Sequence, residues 1–246
     1  MNARSEIAAA TLPLPARVDR ARRLLAGIEK NYSPSVFASG FGAEDMVVLD
    51  LIARDGLAIR TFTLDTGRLP KETHWLIAEV RKRYGLRIDV YSPWPESVDA
   101  HVAEYGTDGF YDGVPQRKAC CAVRKVEPLR RALANKRAWI TGLRREQAES
   151  RAGIAELERD DVHQLWKYNP LVDWTDADVW KYLRDNEVPY NALHDRGYPS
   201  IGCEPCTRAI KPGEHPRAGR WWWEQEAVRK ECGLHEIPVR VVENVA

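Results

Sequence analysis

Five cysteines carry most of the chemistry open to this chain: Cys120 and Cys121 side by side, Cys203 and Cys206 in a C-x-x-C pair, and Cys232 alone near the end. An odd count argues against a disulfide framework, and the division suggests four metal ligands and one working thiol. Four thiolates suit zinc or an iron–sulfur cluster, since both take soft sulfur ligands. Spacing does not choose between them, although zinc ribbons ordinarily use two C-x-x-C knuckles and here one half is a vicinal pair. That pair falls in a helical pattern over residues 118–133, broken once at Pro128. Neighbouring helical residues diverge by about 100°, which suits a large group better than one small ion. The plainer alternatives are that Cys120 and Cys121 are buried small residues and that Cys203 and Cys206 form a redox pair. Cys232 follows Arg229 and Lys230, with Gly233 beside it and His235 three positions on. Such cations lower a thiol's pKa and supply the thiolate, which is the nucleophile.

A second set of residues could hold an anion. Ser39-Gly40-Phe41-Gly42, followed by Ala43, Glu44 and Asp45, joins an apolar run to a helical pattern. Small residues at that junction let backbone N–H groups and a helix start approach negative charge. The loop is neither a Walker motif nor a dinucleotide G-x-G-x-x-G. Asp65-Thr66-Gly67 ends the next apolar run, and two such loops on neighbouring strands mark the crevice where open α/β sheets bind nucleotides. Gly142, Arg144 and Arg151, then Arg217 and Arg220, add arginines on glycine-rich segments, as an anhydride with several negative charges requires.

The elements that must position these groups alternate. Residues 18–30, 43–54 and 71–84 have helical spacing, and residues 34–39, 57–64, 86–91 and 137–141 read as strands. The expectation is an α/β fold, a mainly parallel sheet with helices on both faces. Thr175 and Asp178 mark another helix start. Beyond it Pro and Gly recur from Pro189 to Pro216, a stretch that needs an anchor other than regular hydrogen bonding. The expected division is a flexible leader over 1–17, a nucleotide-binding domain with the metal site over 18–220, and a mobile C-terminal tail over 221–246 that carries Cys232. Trp221 to Trp223 read either as the tail's anchor or as ordinary packed residues.

Composition narrows the function. The chain has 246 residues, 44% of them hydrophobic, and a net charge of +1. It therefore has core-forming capacity and no basic footprint for nucleic acid. No apolar run reaches the length of a membrane span, and the first 17 residues lack a long apolar stretch after a basic start. The expected compartment is the cytoplasm. Oligomeric state is left open, a homo-oligomer included.

Taken in order, these motifs resemble the assimilatory adenylyl-sulfate reductases within the phosphoadenylyl-sulfate reductase group. The carriers are Ser39 to Asp45, Leu64 to Pro70, Cys120 to Lys125, Thr141 to Arg145, Gly202 to Thr207 and Glu231 to His235, over most of the chain. The resemblance implies an adenine nucleotide alpha-hydrolase-like fold and a [4Fe-4S] cluster on Cys120, Cys121, Cys203 and Cys206. It implies Cys232 as nucleophile, thioredoxin as reductant and adenosine 5′-phosphosulfate as substrate, with Lys125, Arg217 and Arg220 facing the phosphosulfate. With four cysteines on metal no resolving thiol is left in the chain, so an external dithiol is required on chemical grounds as well. Three rivals are a reductase for the 3′-phosphorylated nucleotide, an ATP-using adenylating or RNA-thiolating enzyme, and a zinc-stapled nucleotide-binding module without turnover. Phe41 and Ala43 interrupt the Ser-Gly-Gly-x-Asp-Ser loop that the ATP-using class would show.

Overall fold

The computed structural model describes residues 12–224 and 240–241. Six helices and three strands fill the first half: α1 Leu14–Tyr32, β1 Ser35–Ala38, α2 Ala43–Arg54, β2 Arg60–Leu64, α3 Lys71–Tyr84, β3 Ile88–Tyr91, α4 Pro95–Tyr105, α5 Val114–Cys121 and α6 Glu127–Leu133. Then come β4 Ala138–Ile140, β5 Leu157–Asp160, β6 Leu165–Tyr168, α7 Asp176–Asp185 and β7 Arg240–Val241. The sheet runs β3-β2-β1-β4-β6-β5-β7. Its first five strands pair in parallel, and β5 pairs antiparallel with both β6 and β7.

Strand periodicity sorts side chains onto two faces. Phe37, Ala138 and Ile140 join one core under α1, α2, α3 and α7, whereas Val36, Trp139 and Phe62 pack against Leu129, Ala132 and Leu133 of α6. Both faces are thus covered, as a parallel sheet requires. The chain builds outward from β1 to β3, then returns to place β4 on the other side of β1. The reversal opens a crevice at the carboxyl ends of β1 and β4.

Local chemistry sets the helix limits. Gly85 stops α3 in the left-handed conformation at φ 64°, and the Thr175–Asp178 capping box starts α7. The sequence reading assigns residues 14–17 to a leader; they belong to α1. Arg17 is buried, ion-paired with Asp178 and bonded to Asp173 O at 3.0 Å. At the other boundary Trp221 is 0% exposed, so the packed body continues past residue 220. The break expected at Pro128 takes another form: α5 runs into a π-helical turn, Ala122–Val126, and Pro128 falls in the first turn of α6. Cys232 and His235 lie outside the described residues, as does the expected tail apart from residues 221–224 and 240–241. No helix among the described residues is long and apolar enough to cross a membrane.

Candidate active site

A cavity of about 900 Å³ occupies the crevice. One wall is the loop after β1. Asp45 Oδ2 accepts the Gly40 N–H at 2.7 Å and Ser39 Oγ accepts that of Phe41 at 3.2 Å, which curls the backbone around the start of α2. Phe41 pays for the turn with a left-handed φ of 58°, and its ring is buried in the core. The facing wall follows β4. A Cβ on Gly142 would overlap the Asp45 carboxylate and come within 3.1 Å of Asp45 N, so only glycine lets these two loops close on each other.

Charge is concentrated between them. Arg144, 3% exposed, donates to Glu44 Oε1 at 2.7 and 3.0 Å, to Glu146 Oε2 at 3.0 Å and to Asp176 Oδ1 at 3.3 Å. Burial alone would raise the Glu44 pKa; the Arg144 guanidinium and Gln147 hold it below the ordinary carboxylate range. Asp45 goes the other way. Burial and the neighbouring Glu44 push it up to about 7 against the pull of the Gly40 and Gly42 N–H groups and Arg151. Beneath the same wall Thr141 donates to Asn169 Oδ1 at 2.6 Å, and Asn169 Nδ2 donates to Glu158 Oε2 at 3.1 Å. Lys167 Nζ completes this buried chain at 3.1 Å from Glu158.

The opposite end of the cavity is built by the Pro/Gly-rich segment. Cys203, Cys206, Cys121, Phe110 and Trp221 form one buried cluster, with Cys120 against it. A short 3-10 turn, Glu204–Cys206, shapes the C-x-x-C loop, and Glu204 N donates to Arg68 O at 2.8 Å. Thr66 Oγ1 lies 3.2 Å from Cys203 Sγ. Burial pushes the Cys206 thiol up to about 12, helped by Cys203 and opposed by Lys125 and Arg220. Burial also raises Cys120, against Arg124, Arg68 and Lys125. Thiols packed among cations in this way suit a metal-bearing group, which would take them as thiolates. No three potential ligands among the described residues converge on a single-ion position. The four thiols together could hold a larger group.

Of the sequence-derived candidates, Ser39, Gly40, Gly42, Thr66, Lys125, Gly142, Arg144, Arg151, Arg217 and Arg220 line the cavity. Phe41, Asp65 and Gly67 are not in its wall; Asp65 instead accepts the Gly67 N–H at 2.9 Å and shapes the loop that presents Thr66. Sequence reasoning placed Glu44 and Asp45 in the loop motif without naming them as site residues, and it passed over Glu146, Asp176, Trp139 and His194, which also face the cavity. The adjacency of Glu44 and Asp45 to two glycines was the available signal; the others come from segments that only the fold assembles.

The comparisons agree with this geometry. The model of the phosphoadenosine phosphosulfate reductase domain matches residues 34–209. A relative from Allochromatium vinosum named adenosine 5′-phosphosulfate reductase is 53% identical over 235 residues, 96% of this chain and 91% of its own. One of the same name from Burkholderia cepacia is 54% identical over 92% of this chain and 90% of its own. Among solved structures, phosphoadenylyl-sulfate reductase from Candida auris superposes with a TM-score of 0.67 at 26% identity, covering 77% of this chain and 90% of that one. Yeast FAD synthetase shares the fold alone, with a TM-score of 0.57 at 16% identity over 82% of this chain and 72% of that one. An adenine nucleotide alpha-hydrolase-like sheet, a glycine-lined crevice and paired cysteine motifs are thus found together, and the chain belongs to the phosphoadenosine phosphosulfate reductase family.

Proposed function

We propose that this chain is a thioredoxin-dependent adenosine 5′-phosphosulfate reductase of the cytoplasm that releases sulfite and AMP. The observation that carries the reading is one cavity lined by the glycine loop after β1, by Cys203 of the buried cysteine cluster, and by Lys125, Arg217 and Arg220. The glycine loops and the start of α2 receive the nucleotide, and the cations receive the phosphosulfate. The Cys232 thiolate attacks sulfur; an S–S bond forms, the S–O bond to phosphate breaks, and AMP departs with the electron pair. The cations offset the charge gathering on the leaving phosphate. A thioredoxin thiolate then attacks Cys232 Sγ and expels sulfite, and its second thiol closes the disulfide, so the dithiol supplies both electrons. Cys120, Cys121, Cys203 and Cys206 would hold a [4Fe-4S] cluster, which would tie the C-x-x-C loop to α5 and keep the thiols ionised.

The name shared by the two relatives of about half identity supports the unphosphorylated substrate. The family model and the Candida auris structure are named for the 3′-phosphorylated one, which is the second reading. Rates with both nucleotides separate the two. The deciding experiment mixes anaerobically purified protein with adenosine 5′-phosphosulfate and no reductant. One equivalent of AMP and a sulfo adduct on Cys232 are expected, from a brown protein absorbing near roughly 400 nm, as cysteine-ligated clusters do. An adduct on another residue, or a colourless protein with one zinc, refutes the proposal.

A further inference from the structure

Trp221 is an unusual residue in an unusual place. It is 0% exposed and takes a left-handed φ of 44°, which a bulky side chain rarely adopts. The turn is held by its N–H to Cys206 O at 3.1 Å and by the Glu224 N–H to its own carbonyl at 2.9 Å. Backbone strain that is over-determined by its surroundings marks a place where side-chain position matters. Two guanidiniums lie over this one indole. The Arg117 carbon is 4.5 Å from the ring centroid and the Arg220 carbon 4.7 Å.

The two arginines are handled differently. Arg117, 3% exposed, comes from α5, the helix of Cys120 and Cys121, and is ion-paired with Glu224, whose side chain is 9% exposed. Its charge is therefore answered within the protein. Arg220 is in the cavity wall, with Nη1 donating to Ser200 Oγ at 3.2 Å and Ile201 O at 3.3 Å. Among the described residues its buried Nε has no hydrogen-bond partner and no carboxylate is bonded to it. Glycine makes room on another side: a Cβ on Gly202 would lie 2.6 Å from the Arg220 Cζ. The guanidinium is thus packed against a bare Cα and an indole, with its charge left for a ligand.

We propose that Arg117 and Gly202 are positioning residues that fix the Arg220 guanidinium toward the sulfo end of the bound nucleotide. Arg117 acts through the Trp221 ring, and Gly202 by leaving the space that the guanidinium fills. A long side chain ordered before the ligand arrives pays no ordering cost on binding. Glu224 is what makes the arrangement tolerable, because it offsets one of the two positive charges gathered at this ring. This rests on the reading of the cavity as the phosphosulfate site.

The test is a double-mutant cycle read by calorimetry on Cys232→Ser protein without reductant, with adenosine 5′-phosphosulfate and AMP as ligands. Arg117→Lys keeps a charge for Glu224 and loses the planar group over the ring; it is not a conservative change at a stacked site. Gly202→Ala crowds Arg220 from the other side. Each is expected to weaken the phosphosulfate nucleotide by about fivefold, the order of one cation–π contact, with AMP within about twofold. Neither is expected to add to the loss in an Arg220→Ala background. A merely structural role would weaken both nucleotides alike, or persist beside Arg220→Ala, and either result overturns the positioning proposal. A parent protein that binds neither nucleotide overturns the reading of the cavity, and the positioning proposal falls with it.

Discussion

Asn169 gives the sharpest test of how the cavity wall is supported. It is 0% exposed, and its side chain joins three groups: Thr141 Oγ1 at 2.6 Å, Ala155 O at 2.7 Å and Glu158 Oε2 at 3.1 Å. Asn169→Ala removes two neutral hydrogen bonds, about 1 kcal/mol each, and one to a carboxylate, about 2 kcal/mol, so the loss is about 4 kcal/mol. For a chain of this size 1 kcal/mol moves the melting temperature by about 2–4 °C, so the variant should melt about 10 °C lower. Asn169→Asp keeps the shape and sets a second carboxyl against Glu158. Like charges raise the pKa of one of them above its unfolded value. A carboxyl so raised stabilises the fold at low pH, and that stability is lost as pH rises through the shifted pKa. Melting followed by circular dichroism from about pH 5 to about pH 8 should show the Asp variant near the parent in acid and falling progressively behind it. Thr141 also accepts the Leu143 N–H at 3.3 Å, so nucleotide affinity should fall with stability in both variants. An Asp variant that tracks the parent at every pH, or an Ala variant within about 2 °C of it, would refute the account of this buried chain.

Three further expectations follow from the site. Asp45, pushed up to about 7, is neutral in mild acid and charged above. Affinity for AMP should therefore rise as pH falls through that value, and calorimetry on Asp45→Asn should find the slope flattened; an unchanged slope would assign it to another group. Gly142→Ala drives a methyl into Asp45, so nucleotide affinity should drop by about tenfold or more while circular dichroism stays native. Normal affinity in that variant would mean that the two loops can part. Cys203→Ser should lose iron and visible absorbance together, and full iron retention would remove Cys203 from the proposed ligand set.

The parts of the fold legible in sequence were those where local chemistry and tertiary packing agree. The boundaries of α2 and α3 emerge as read, 43–54 and 71–84, because Glu44 and Asp45 favour a helix start and Gly85 a stop. The hairpin of β5 and β6 escaped notice for the opposite reason. In β5 the buried residues are Glu158 and Asp160, 2% and 3% exposed, and in β6 Lys167 is buried between Leu165 and Tyr168, so charge stands at positions where apolar residues are expected. Helix α4 was missed because it buries little beyond His101 and leaves no apolar stripe. In the site, glycines and cysteines announced themselves, since few other residues can replace them. Arg144 looked like an anion binder from its loop, and only the fold shows that Glu44, Glu146 and Asp176 already surround it.

The π-helical turn at Ala122–Val126 separates Cys120 and Cys121 from the first regular turn of α6. It contains both Arg124, which donates to Thr66 O at 2.8 Å, and the cavity-lining Lys125. A wide turn of this kind amounts to one residue inserted into an otherwise regular helix, and such turns cluster where function sets the register. Removing one residue there would give a smoother helix and turn everything before it by about 100° relative to everything after. The thiols and the cation would then no longer share a side. Length in this stretch is therefore constrained as well as identity: a one-residue deletion would uncouple the cysteine pair from the cavity it adjoins.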